Sequence, residues 1–111
     1  MTSAVLQNLE KLLGTPRDGA LLRYSLGTEY LKANQPARAA EQFAAAVERD
    51  PAYSAAWKML GKAFSECGRH AEAVDAWQQG IKVAEARGDV QAAKEMSVFA
   101  RRVAKQLPGR G

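Results

Sequence analysis

One histidine and one cysteine, His70 and Cys67, stand three residues apart in this 111-residue chain, and they are the natural place to look for a nucleophile and its base. Such a pair works only when both side chains meet and a third group orients the base. Here a turn at Gly68 separates them, so His70 is expected to be an exposed polar residue opening a helix and Cys67 a small buried hydrophobe. A zinc site built from histidine and cysteine takes about four such ligands, more than one histidine and one cysteine supply. Gly14 and Gly19 have the spacing of a phosphate-binding loop, but Ala20 and Leu21 follow where lysine and a hydroxyl residue are required. Glu72 and Asp75 fall on the solvent side of a helical pattern, as salt-bridge partners do. The residues therefore read as no enzyme: no catalytic set, no cofactor and no metal.

The elements that carry these residues are helical. Alanine dominates, β-branched residues are few, and the four prolines and nine glycines fall mostly between apolar-periodic stretches. A chain of this length holds one core and no large catalytic cavity. No basic leader precedes the apolar residues of the N-terminus, and no apolar run approaches the ~20 residues that span a bilayer. With a lone cysteine excluding an internal disulfide, the expectation is a soluble, cytoplasmic protein. The formal charge is +4, and the excess sits near the end. Residues 89–111 carry Lys94, Arg101, Arg102, Lys105 and Arg110 against only Asp89 and Glu95. Cations there suit the C-terminal end of a helix dipole.

The chain aligns on itself at an offset of 34 residues. The offset pairs Leu26 with Leu60, Gly27 with Gly61, Tyr30 with Phe64, Ala39 with Ala73, Phe43 with Trp77 and Val47 with Ile81, matching size as well as polarity. Each unit reads as two helices, roughly 18–33 then 36–50, and 52–66 then 69–87. Asn34 and Gly68 also pair, and both tolerate the left-handed conformation that ends a helix. Pro36 suits a first helical turn. A glycine inside a helix costs about 1 kcal/mol relative to alanine, so Gly27 and Gly61 imply two backbones packed closely, with Tyr30, Phe64, Phe43 and Trp77 filling the flanks.

This pattern resembles the tetratricopeptide-repeat family, whose unit is a helix-turn-helix of about 34 residues. The second unit carries it as Trp57, Leu60, Gly61, Phe64, Ala73 and Trp77, and the first as Leu26, Gly27, Tyr30, Ala39, Phe43, Ala46 and Pro51. Arg23 stands where the family has tryptophan, Gly80 where it has alanine and Glu85 where it has a closing proline. The loss of that proline implies that the last helix of the second unit runs on to about Arg87. The resemblance implies an all-α fold: antiparallel helical hairpins stacked as a short right-handed solenoid of about six helices.

Two units expose their end faces, and repeat arrays need caps. Val5, Leu6, Leu9, Leu12 and Leu13 fall in phase with the second helix of a unit, so residues 1–17 read as an N-terminal cap. Units at 20–53 and 54–87 follow. A C-terminal capping helix occupies 89–107, with Ala92, Met96, Phe99, Val103 and Leu107 on one face, and 108–111 form a disordered tail. At the 34-residue offset Lys94 and Glu95 fall where leucine and glycine belong, so this last helix is out of register with the repeat and reads either as a cap by its own rules or as a partner-binding helix.

In the family, first helices of successive units line a concave groove that binds peptides or partner helices. The face left after packing is Leu21, Tyr24, Ser25, Thr28 and Lys32 in the first unit, and Ala55, Lys58, Met59, Lys62 and Glu66 in the second, each one helical stripe. Tyr24 would supply an apolar anchor, Met59 would adapt around it, and Lys58 and Lys62 would pair with an acidic group of a peptide or helix. The same spacing allows Tyr24 and Met59 to pack against the capping helices instead. One branch of the family captures chaperone C-termini with lysines and asparagines from three units; Asn8 and Asn34 lie off this face, which argues against that use. The expected function is a protein-interaction adaptor or assembly scaffold, monomeric or weakly dimeric. Two alternatives are a nucleic-acid- or ribonucleoprotein-associated factor using Arg101, Arg102, Lys105 and Arg110, and a homo-oligomer joined through the apolar face of residues 92–107.

Overall fold

Three helix ends share one hydrogen-bond pattern, and it sets the spacing of the whole molecule. The computed structural model describes residues 3–109. Asn34, Gly68 and Gly88 adopt φ of 59°, 82° and 76°. Behind them the next amide donates back five residues, Gln35 to the Tyr30 carbonyl, Arg69 to that of Phe64 and Asp89 to that of Ala84, at 2.8–2.9 Å. These Schellman-type ends stop one helix and aim the next antiparallel to it. The resulting elements are α1 (Ala4–Glu10), α2 (Ala20–Lys32), α3 (Pro36–Arg49), α4 (Ser54–Glu66), α5 (His70–Ala86) and α6 (Val90–Ala104). Among the described residues there is no strand. Pro108 and Gly109 form a turn; the remainder of the expected tail, with Arg110, lies outside the described residues.

Each helix packs chiefly on its neighbour in sequence, as hairpins in a stack do. In both units an aromatic ring of the second helix lies on the glycine of the first. A Cβ at Gly27 would sit 2.7 Å from the Phe43 ring, and one at Gly61 would overlap the indole of Trp77. Phe43 and Leu26 are fully buried in a core built mainly by α1 to α4, with Ala76 from α5, that includes Leu6 of the N-terminal helix. A second cluster joins α5 to α6 around Trp77 and Met96, and Phe64, packed against both, makes the two one continuous core.

The last helix rejoins the repeat at a different spacing. The helix α5 spans 17 residues against 14 for α3. The loop after it is one residue shorter, so α6 starts 36 residues after α4. At that offset the buried Met96 stands where Leu60 does, Ala100 where Phe64 does, and Ser97 where Gly61 does. The out-of-register expectation therefore holds only at the 34-residue spacing. With Glu85 in place of proline, α5 runs on and carries the next unit two residues further along. The Arg87 guanidinium then donates to the Ala52 carbonyl at 2.8 Å, tying this junction to the one before α4.

Candidate functional site

A hollow of about 530 Å³ lies between α4 and α6, floored by α5. Lys58, Met59, Lys62, Ser65 and Glu66 enter from α4, Trp77 from α5, and Phe99, Arg102, Val103 and Gln106 from α6 and its end. The floor is rigid. The indole N–H of Trp77 donates to the Lys58 carbonyl at 3.0 Å, and the rings of Trp77 and Phe99 meet with centroids 5.5 Å apart. Met59 and Phe99 are half-buried, so part of each faces the opening. At the rim, Lys62 and Arg102 are exposed, and neither has an ion-pair partner among the described residues. Lys58 pairs with Glu95 at 3.7 Å. The arrangement can hold an apolar side chain on an aromatic and thioether floor while cations at the rim face an anionic group.

Of the ten groove residues expected from sequence, Lys58, Met59, Lys62 and Glu66 line this hollow. Ala55 borders a smaller one of about 240 Å³ at the other end of α4. The five from α2 line neither. Tyr24 is half-buried, edge-on to Phe43 at 5.6 Å and stacked on Tyr53 at 5.0 Å, so its ring serves packing between units. Burial pushes the Tyr53 hydroxyl pKa upward, with Tyr24 adding to the effect. Thr28 spends its hydroxyl on the Tyr24 carbonyl, Lys32 pairs with Glu29, Ser25 is half-buried and Leu21 is exposed. Of the packing residues, Leu26, Gly27, Tyr30, Ala39, Phe43, Leu60, Gly61, Ala73 and Trp77 are buried, while Trp57 and Phe64 are half-buried. Trp57 donates to the Pro51 carbonyl, and the Arg69 guanidinium lies 4.6 Å over the Phe64 ring.

The sequence left α6 as either a cap or a partner-binding helix and placed none of its residues in the groove, whereas Phe99, Arg102, Val103 and Gln106 line the hollow. Arg102 was expected to act as a solvated end-of-helix cation, yet it shares the hollow with Lys62. The available signal was the recurrence of the apolar pattern at 36 residues. The face of residues 92–107 offered for self-association is largely used within the chain: Met96 and Val103 are buried, and Phe99 packs on Trp77. His70 differs from expectation as well, being half-buried with its Nδ1 enclosed and unpartnered among the described residues. Cys67 is half-buried, its thiol directed at the Phe64 carbonyl.

The departures from the family pattern have physical accounts. Arg23, in place of tryptophan, forms two hydrogen bonds to Asp18 at 2.9 and 3.0 Å and a third to Gln42 on α3. Asp18 also accepts from the Gly14 amide, so the α1–α2 loop is bound to the first unit by this network. Those bonds, Arg23's foremost and Gly14's next, lower the Asp18 pKa from 3.8 to about 2. Gly80, in place of alanine, is enclosed by Met96 and Trp57.

Paired helices, an aromatic set on a glycine in each hairpin, and a concave hollow between first helices define a helical-repeat protein. The tetratricopeptide repeat family matches residues 24–90, and the chain belongs to that family. It is 50% identical over 99 residues to a TPR repeat-containing protein of Pseudomonas aeruginosa, covering 89% of this chain and 94% of that one. The solution structure of a Bordetella parapertussis protein superposes with a TM-score of 0.78 at 41% identity, covering 94% and 90% of the two chains. A tetratricopeptide repeat domain protein of Salinibacter ruber follows at 0.75 and 30%, covering 86% and 96%. Tetratricopeptide folds generally mediate protein–protein interaction and are typically non-enzymatic scaffolds. Among the described residues, no helix is long and apolar enough to cross a membrane.

Proposed function

We propose that this chain is a non-catalytic cytoplasmic adaptor that binds a segment of a partner protein in the hollow between α4 and α6. An apolar side chain of the partner rests on Met59, Trp77, Phe99 and Val103, and an acidic side chain beside it faces Lys62 and Arg102. The observation that carries this reading is the combination of a floor partly open at Met59 and Phe99 with two exposed cations, Lys62 and Arg102, that have no ion-pair partner among the described residues. Met59 and Phe99, each partly exposed above the buried Trp77 and Val103, gain by being covered. Free cations give an acidic partner a faster encounter and a penalty for the wrong sign.

A random-peptide display library panned on the protein tests this, with Lys62→Glu/Arg102→Glu as the counter-target. Enriched peptides are expected to carry an apolar residue next to an acidic one and to lose binding to the double variant. Enriched peptides that bind both proteins equally would overturn the reading.

A further inference from the structure

The smaller hollow, beside the first turns of α4 and α6, differs from the larger one in sign. Its charged lining is Asp89, Glu95 and Lys58, while the larger hollow has Lys58, Lys62 and Arg102 against Glu66. Lys58 borders both, and its 3.7 Å contact with Glu95 stands on the divide. Asp89 is held in place as the N-cap of α6, its carboxylate accepting from the Ala92 amide at 3.0 Å. The groove therefore runs from acidic at one end to basic at the other, with an ion pair between.

Resting on the binding reading above, we propose that the groove recognises a charge pair in its partner. The partner segment carries an acidic residue for Lys62 and Arg102 and a basic residue for Glu95 and Asp89, with the apolar anchor on the floor. Glu95 and Arg102 lie two helical turns apart on α6, about 10 Å. That distance separates the partner's two charges by about three residues in an extended segment or about seven in a helical one. In the free protein Glu95 holds Lys58, and an exposed pair of this kind is weak and readily exchanged. A basic side chain taken by Glu95 frees Lys58 to turn toward the partner's acidic group, so the two charges are read together. Glu95 is thus the residue that selects for the cation.

A double-mutant cycle separates this from a simple basic groove. The probes are display-selected peptides whose binding fails on Lys62→Glu/Arg102→Glu, each compared with a version in which its basic residue is alanine. The proteins are the original and Glu95→Gln, which alters a partly exposed side chain, with unchanged circular dichroism as the fold control. On the original protein the alanine peptide is expected to bind roughly three- to fivefold more weakly. On Glu95→Gln that loss should shrink, Asp89 alone remaining to face the basic residue, and the alanine peptide should bind Glu95→Gln more tightly than the original because Lys58 is free. Equal losses on both proteins, or selected peptides without a basic residue at either spacing, would overturn the charge-pair proposal alone. Peptides indifferent to Lys62→Glu/Arg102→Glu would remove the groove reading beneath it.

Discussion

Gly80→Ala sets the family pattern against the geometry of this chain. Alanine is the family's residue at this position, and inside a helix it is favoured over glycine by about 1 kcal/mol, so the change by itself would stabilise α5. The structure gives the opposite sign. A Cβ at residue 80 would lie 2.8 Å from the Trp57 Cβ and 3.2 Å from the Met96 methyl, and closer still to the Met96 sulfur. Met96 is flexible but fully buried, so it yields only part of the space and bears part of the cost. The Trp57 Cβ is bonded to the α4 backbone, and its indole is tethered to the Pro51 carbonyl at 2.8 Å, so α4 and α5 must separate. Overpacking of this kind costs about 1–3 kcal/mol. After the helix-propensity gain, Gly80→Ala should lose about 1 kcal/mol, lowering the melting temperature by roughly 4–6 °C. Urea and thermal unfolding followed by circular dichroism give both quantities. In a Met96→Ala background the loss should shrink by at least ~0.5 kcal/mol, because contacting sites couple. A Gly80→Ala protein more stable than the original would refute the packing argument.

Three further outcomes follow from the same packing. Trp77→Ala should cost about 3–5 kcal/mol in chemical denaturation, since it removes a buried ring and opens the floor under Phe99; a loss below about 1 kcal/mol would contradict the role given to that ring. A chain starting at Thr15 should aggregate or unfold at lower denaturant, because Leu6 covers the core containing Leu22 and Leu26; analytical ultracentrifugation showing an equally stable monomer would contradict it. The Asp18 carboxyl titrates near 2 when folded against 3.8 otherwise, so as pH falls the unfolded chain takes up the proton first. The stability that Asp18 contributes is fully present above pH 3.8 and is lost toward pH 2, and Arg23→Gln should flatten this part of the unfolding curve.

How much of this was legible in the sequence depended on whether the signal was local. Asn34 and Gly68 marked helix ends because a left-handed residue is a property of one position. The aromatic-on-glycine pairs were legible because size and spacing recur together in Gly27 with Phe43 and Gly61 with Trp77. Register beyond the second unit was not, since a fixed 34-residue offset fails once Glu85 lets α5 run on. The site suffered for that reason: Phe99, Arg102 and Val103 face Met59 and Lys62 only when α6 is shifted by two residues. Periodicity also assigned Tyr24 to a face without saying what lies across from it, and Tyr53, from the loop before α4, stacks there. Gly80 read only as a deviation, because its neighbours Trp57 and Met96 are remote in sequence.

The most direct measurement of the central claim is an amide chemical-shift titration of the isotopically labelled protein with a display-selected peptide, repeated on Lys62→Glu/Arg102→Glu. The expected result is a set of shifts centred on residues 58–66, on Trp77 and on residues 89–106. The double variant should bind about tenfold or more weakly at low ionic strength, and the difference should narrow as salt rises. Shifts centred on α2, or on the outer face of α6 around Val98, Arg101 and Lys105, with unchanged affinity in the double variant, would contradict the assignment of the α4–α6 hollow as the binding site.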